Sequence, residues 1–335
     1  MMTDHDMVTI EPLTATDAHP ALGREGRFAA RGEPLAAVDY FLEHEGVLYP
    51  HPLRAEADGS VCVYPEAPGR YWLHASWRSA EGETGWSRRE FHVRGAQGLG
   101  PQRVKTEGET LWVPTAWDAQ LLGAHEEVVF FELQKIIRPG ATVYDIGANV
   151  GLFSTRFARW IGAEGWLYAL EPNPVCVYFL RANLEHVGIR NYTILPVAAS
   201  DRRSDCGFSL NYGSSLIGVG ADSPVAGKPG HQIRVEGERV DALVARLNLR
   251  APDFIKLDVE GAEASVVAGM METLEKNRPG LMVELHGRHA ASQTLRILAS
   301  LNYRYLLCST ATRYSTGQAL LDALPEACVQ VIGYA

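Results

Sequence analysis

One stretch of nine residues, Val143-Tyr-Asp-Ile-Gly-Ala-Asn-Val-Gly151, limits what this chain can fold into more than any other. A short apolar run carries an acid near its end and turns at glycine. It then enters a segment in which Phe153, Phe157 and Trp160 recur at helical spacing. A strand feeding a helix through a glycine turn opens a βαβ unit, and such units build parallel sheets. Gly147 permits the tight turn because it has no Cβ, and Gly151 is expected to let the helix start approach a ligand. Asp145 sits at the strand's carboxyl end, where open α/β sheets bind their ligands.

The alternation continues. The pattern predicts strands over Trp166–Leu170, Tyr192–Ala198, Phe254–Val259 and Leu281–Leu285. Helices are expected over Pro174–Val187, Ala262–Lys276 and Ala291–Leu301. Tyr303–Cys308 and Cys328–Gly333 close the sheet, with an antiparallel element among these last strands. A helix is also expected over Ala124–Ile137, stopped by Pro139-Gly140.

The first third of the chain has a different texture. Residues 1–26 are polar with scattered proline and glycine and read as a flexible tail. Residues 27–94 hold short β-rich runs separated by turns. Within them Tyr71, Leu73, Ala75 and Trp77 fall on one face, and Ala80–Gly85 reads as a hairpin turn. This predicts a small immunoglobulin-like or fibronectin-like sandwich, with Trp72, Trp77 and Trp86 in its core and His74 exposed. The glycine-rich residues 95–101 serve as a linker, and 102–335 form the α/β domain.

The 335-residue length fits about two domains of ~100–200 residues. A net charge of -9 disfavours nucleic acid, whose phosphates call for Lys and Arg. No apolar run is long enough for a membrane span, and the N-terminus has no apolar signal core. Five scattered cysteines without a CxxC pair point to reduced thiols and the cytoplasm.

The loop has two glycines four positions apart rather than the three of GxGxxG. A pyrophosphate calls for the open glycine loop at a helix N-terminus. An acid within the loop instead favours a cationic amino-acid moiety, as in the sulfonium and ammonium of S-adenosylmethionine. Glu171 ends the second strand on the order of twenty residues after the loop, where a carboxylate can accept both ribose hydroxyls.

VYDIGANVG, ALEPNP and IKLDVEGAE together resemble the FkbM family of methyltransferases, from about Thr110 to the C-terminus. The resemblance implies a class I methyltransferase fold, S-adenosylmethionine as cofactor, and methyl transfer, usually to oxygen. It implies that Asp145, Gly147, Asn149 and Gly151 line the methionine portion, and Ala148, Phe153 and Asp258 are also expected at the cofactor. Glu171 would hold the ribose, with Pro172 and Asn173 nearby, and the turn Val197-Ala198-Ala199-Ser200-Asp201 would border the adenine.

On the acceptor side, Lys256 and Asp258 share one face of their strand. Asp258, Glu260 and His286 are candidates for the base that receives an acceptor hydroxyl's proton. A histidine of ordinary pKa suits that task. The plainer alternatives are a structural rim role for His286, a Lys256–Glu284 pair between strands, and a helix-terminal charge for Glu263. Asp258, Glu260 and Glu284 could instead hold Mg²⁺, but the spacing is not diagnostic and no metal is assigned. Ser214 and Ser215 lie in a polar insertion that either covers the substrate or is a solvated loop.

The expectation is therefore an O-methyltransferase acting on a sugar or glycosylated natural product. The acceptor is a small molecule or glycan, and the β-module docks it, walls the pocket or supports a homo-oligomer. The competing readings are a dinucleotide-dependent oxidoreductase and a non-catalytic binding module. The missing third glycine opposes the first, and the Asp145–Glu171 pair opposes the second.

Overall fold

A computed structural model describes residues 9–14, 26–31, 35–44, 47–48, 53, 55, 58–63, 69–82, 84–93, 101–106, 109–114, 127–210, 231–325 and 328–334. The chain divides into two compact units, Met1–Gly100 and Pro101–Ala335.

The first unit is all-β. Strands β1 (Thr9–Pro12), β2 (Gly26–Arg31) and β5 (Ser60–Val63) form one antiparallel sheet. Strands β4 (Val47–Leu48), β3 (Leu35–His44), β6 (Gly69–Ser79) and β7 (Thr84–Val93) form the other. Alternation along β6 buries Tyr71, Leu73 and Ala75, as their period-two spacing predicts. Tyr71 stacks on Phe91 of β7, and Phe91 meets Phe28 of β2 with ring centroids 5.1 Å apart.

Three expectations about this unit need correction. Thr9–Pro12 is not loose tail: it pairs with Pro12 opposite Phe28 and buries Ile10. Trp72 alternates with the buried residues onto the other face, half-exposed under the Arg88 guanidinium, and Trp77 is also half-exposed. His74 is half-buried, with Nε2 2.8 Å from Glu43 Oε2 on the neighbouring strand. The side chain of Trp86 and residues 95–100 of the expected linker lie outside the described residues.

The second unit opens with a hairpin of β8 (Pro101–Thr106) and β9 (Glu109–Pro114), followed by α1 (Glu127–Ile136). Its centre is an eight-stranded sheet. In chain order it uses β10 (Thr142–Ile146), β11 (Trp166–Leu170), β12 (Tyr192–Leu195), β16 (Phe254–Leu257), β17 (Gly280–Leu285), β18 (Arg304–Leu307), β19 (Thr312–Tyr314) and β20 (Val329–Tyr334). The spatial order is β12-β11-β10-β16-β17-β20-β18-β19. The first five run parallel, and β20 is antiparallel to both its neighbours.

Helices cover both faces, so the central strands are buried and mainly apolar, with Asp145 of β10 and Lys256 of β16 as charged exceptions. Helices α1, α2 (Leu152–Ile161) and α3 (Pro174–His186) pack on one face with Val143, Phe157, Leu180 and Phe254. Helices α4 (Val240–Leu247), α5 (Glu263–Ala268), α6 (Met271–Asn277), α7 (Arg288–Leu298) and α8 (Gly317–Ala323) pack on the other with Tyr144, Ile255, Leu281 and Leu285. The strand order reverses direction between β10 and β16, and that switch point opens a crevice at the strands' carboxyl ends.

The expected third strand divides. Tyr192–Leu195 stays in the main sheet, while β13 (Ala198–Ser200) joins β15 (His231–Arg239) and β14 (Ser204–Leu210) in a separate three-stranded sheet. The expected helix over Ala262–Lys276 breaks at Gly269-Met270. A Cβ on Gly269 would lie 1.9 Å from the Ser200 carbonyl oxygen, so the close approach of β13 interrupts the helix there.

Candidate active site

The glycine loop is fastened to both neighbouring strands. Gly147 and Ala148 donate their amides to the Leu170 carbonyl at 2.9 and 3.1 Å, and Asp258 donates its amide to the Ile146 carbonyl. Gly147 has φ +79°, and a Cβ there would lie 1.8 Å from the Asp258 carbonyl oxygen. Only glycine lets the loop pass this close to the end of β16. Gly151 serves a different purpose from the one expected. A Cβ on it would meet Leu180 of α3 at 2.8 Å, so this glycine allows helix packing rather than ligand approach.

A cavity lies above the switch point. Its wall takes Ile146, Gly147 and Asn149 from the loop, Leu170, Glu171 and Pro172 from the end of β11, Val197 from just before β13, and Ala198 and Ala199 from its start. Asp258, Val259, Glu260 and Ala262 complete it after β16. Another hollow, bordered by Arg181, Arg190 and Tyr192, lies at the β12 edge of the sheet, away from the glycine loop.

Glu171 is buried in the cavity wall. Its Oε2 accepts the Asn149 amide and its Oε1 the Asn173 amide, both at 2.8 Å. A carboxylate has about four acceptor positions, so two remain for a ligand diol. Burial raises the Glu171 pKa to about 7 against the opposing pull of those two amides and Lys256. Asn149 takes φ 52°, a left-handed conformation that asparagine tolerates, and its Oδ1 accepts the Val150 amide.

Asp145 is not on this wall. It is fully buried beneath it, accepting a 2.6 Å hydrogen bond from Ser154 and lying 3.4 Å from Lys256 Nζ. Lys256 is buried as well. It donates to the Gly147 carbonyl at 2.8 Å and pairs with Asp258 at 3.2 Å, so it bridges the glycine loop and the segment after β16. Burial pulls its pKa down, but Asp258, Asp145 and Glu284 outweigh that and hold it above the ordinary lysine range. The expected Lys256–Glu284 pair is replaced by this arrangement. Glu284 instead accepts from Cys328 and Gln330 on β20.

Ala148, Phe153 and Asn173 also lie behind the wall. Phe153 places its ring 5.0 Å from Lys256 Nζ, and Asn173 caps α3 by accepting the Val175 amide. Ser214 and Ser215 lie outside the described residues.

The three candidate bases converge. His286 Nε2 lies 3.3 Å from Glu260 and 3.8 Å from Asp258. Its Nδ1 is 2.8 Å from Glu263, which is fully buried and also accepts the Gly261 amide. Glu263 is therefore more than a helix-terminal charge. Burial lowers the His286 pKa, but hydrogen bonds with Cys328 and Glu263 and the Glu263 charge raise it to about 11. His286 is thus an imidazolium near neutral pH, not the ordinary-pKa base expected from sequence. Burial, opposed by His286, raises Glu260 to about 7. Glu260 also adopts φ 53°, a left-handed conformation that is uncommon for glutamate and concentrates at functional sites.

Residues 145–305 match the methyltransferase FkbM domain. Over that stretch, just under half of its length, the chain is similar to the FkbM methyltransferases. It is 28% identical over 197 residues to 2-O-methyltransferase NoeI of Sinorhizobium fredii, covering 53% of this chain and 73% of that protein. It is 26% identical over 175 residues to 31-O-demethyl-FK506 methyltransferase FkbM of Streptomyces tacrolimicus, covering 45% and 67%. It is 26% identical over 183 residues to hexuronic acid methyltransferase AglP of Haloferax volcanii, covering 52% and 67%. The FkbM domain thus spans the loop, the cavity wall and the His286 cluster. Among the described residues, no helix is long and apolar enough to cross a membrane.

Proposed function

We propose that this chain transfers a methyl group from S-adenosylmethionine to a hydroxyl oxygen of a sugar or of a glycosylated or other small natural product. The observation that carries the reading is one cavity whose wall holds two differently equipped groups of residues. Glu171 and Asn149 form one group, and Asp258 and Glu260, backed by His286, form the other. The names of NoeI and FkbM support oxygen as the methyl acceptor, and the hexuronic acid in the name of AglP supports a sugar acceptor.

The bound cofactor supplies an electrophilic methyl on a sulfonium. In this reading Glu171 accepts the ribose hydroxyls with its two remaining acceptor positions. Gly147 and Asn149 border the methionine portion, and Val197, Ala198 and Ala199 form an apolar seat for the adenine. Asp145 and Lys256 act beneath the wall by fixing the loop. Asp258 or Glu260 receives the hydroxyl proton, and positive charge at His286 favours the developing oxyanion.

For the N-terminal unit we infer an immunoglobulin-like or fibronectin-like sandwich that docks the acceptor or mediates self-association. The separation of β1-β2-β5 from β4-β3-β6-β7 supports that reading. The buried free thiol Cys176 supports a reducing compartment such as the cytoplasm, and the acidic net charge supports a partner other than nucleic acid.

The test is incubation of the full chain with methyl-labelled S-adenosylmethionine and a panel of uronic acids, glycosides and hydroxylated polyketides. Labelled methyl ethers are expected among the products. Labelling confined to amines or carboxylates would overturn the hydroxyl assignment.

A further inference from the structure

The group formed by Asp258, Glu260 and His286 contains more than a proton acceptor requires. His286 Nε2 faces Glu260 Oε2 at 3.3 Å and Asp258 Oδ1 at 3.8 Å. One donor atom from each of the three residues lies within 4.8 Å of the others. Ligand atoms about 2.1 Å from a common ion stand roughly 3–3.5 Å apart, close to the separation of the first pair.

The imidazole is oriented from behind. With its Nδ1 proton donated to Glu263 at 2.8 Å, His286 turns Nε2 towards Asp258 and Glu260, where a cation can displace the Nε2 proton. A carboxylate at the far nitrogen is how metal-binding histidines are fixed in tautomer and direction. Glu263 is fully buried, and its Oε2 has no hydrogen-bond partner among the described residues. Its charge is therefore left to be balanced through the ring. Asp258, Glu260, Glu263 and Glu284 all place an oxygen within 3.8 Å of a His286 nitrogen. Four carboxylates around one imidazole can balance more positive charge than a single proton supplies.

We propose that Asp258, Glu260 and His286 bind one divalent cation of the Mn²⁺ or Zn²⁺ type at the wall of the cofactor cavity. The mixed nitrogen and oxygen set suits these ions better than Mg²⁺, which prefers oxygen ligands alone. Asp258 and Glu260 belong to the cavity wall, so the ion's remaining positions open towards the acceptor. The ion takes the place of the proton on Nε2 as the positive charge beside the acceptor oxygen. A second set, Glu284, His286 and Cys328, also satisfies the distance limit. Its Glu284 and Cys328 are not part of the cavity wall and already bond to each other.

This proposal rests on the reading of the cavity as the cofactor and acceptor site, and the experiment separates the two. Chelator-treated full chain is titrated with MnCl₂ while free Mn²⁺ is followed by electron paramagnetic resonance. S-adenosylhomocysteine binding is measured in parallel without metal. One equivalent of Mn²⁺ is expected to bind, with affinity falling at least tenfold in the near-isosteric Asp258→Asn and in His286→Gln. Cys328→Ser should stay within twofold. Bound Mn²⁺ should also broaden the proton resonances of S-adenosylhomocysteine. Wild-type protein that binds S-adenosylhomocysteine but no Mn²⁺ overturns the metal site alone, and the converse overturns the cofactor reading. Loss of Mn²⁺ with Cys328→Ser but not with Asp258→Asn would move the ion to the other set and refute the proposal.

Discussion

Replacing Gly147 with alanine tests the loop by geometry. Gly147 and Gly140 share nearly the same left-handed backbone, φ +79° and φ +83°, but only Gly147 is crowded. A Cβ at 140 meets nothing within 4 Å, whereas one at 147 lies 1.8 Å from the Asp258 carbonyl oxygen. Real Cβ contacts stay above 3.0 Å, so the loop and the end of β16 must separate by at least the difference. Gly140→Ala should therefore cost only the left-handed penalty, about 1–2 kcal/mol. Gly147→Ala adds an overpacking cost of about 1–3 kcal/mol. At roughly 2–4 °C per kcal/mol for a domain of this size, the two variants should differ in Tm by several degrees. Calorimetric titration with S-adenosylhomocysteine should show at least a tenfold loss for Gly147→Ala and less than twofold for Gly140→Ala. Equal Tm and equal affinity for the two variants would refute the argument.

Lys256→Met leaves Asp145 buried without its cation and should cost about 3–5 kcal/mol in urea unfolding; a loss below about 1 kcal/mol would contradict the bridging role. Glu171, with a pKa of about 7, should make cofactor affinity rise from pH 6 to pH 8, and Glu171→Gln should bind more weakly with a flat profile. The same residue makes a linkage prediction. Its folded pKa lies above the ordinary 4.5, so between pH 4.5 and about 7 the folded state holds more protons and stability falls as pH rises. Glu171→Gln should remove that slope, about 3 kcal/mol over the window, in denaturant titrations at several pH values. Asp258→Asn should lower kcat by about 100-fold or more while S-adenosylhomocysteine affinity changes little; unchanged turnover would remove Asp258 from the acceptor site.

Local signals were legible where local physics decided the outcome. β11 begins and ends at the expected residues because an apolar run there is bounded by glycine and by Glu171-Pro172. The glycine loop and the acid after β11 point to the cavity from the sequence alone. What the sequence hid depends on distant neighbours. Helical periodicity runs straight through Gly269, and only the packing of Ser200 against it reveals the break. The strands β14 and β15 and the helix α4 flank a polar insertion that reads as loop because their pairing is non-local. Asp145 looked like a wall residue, but Ser154 and Lys256 draw it beneath the wall. His286 reads as an ordinary base because the groups that raise its pKa, Cys328 just before β20 and Glu263 at the start of α5, are distant in sequence.

The most direct test of the account is calorimetric titration of the full chain with S-adenosylhomocysteine, beside Glu171→Ala. The account predicts one equivalent bound by the wild type and a loss of at least tenfold in the variant, whose side chain lies on the cavity wall. Absence of binding to the wild type, or equal binding by Glu171→Ala, would contradict the assignment of this cavity to the cofactor.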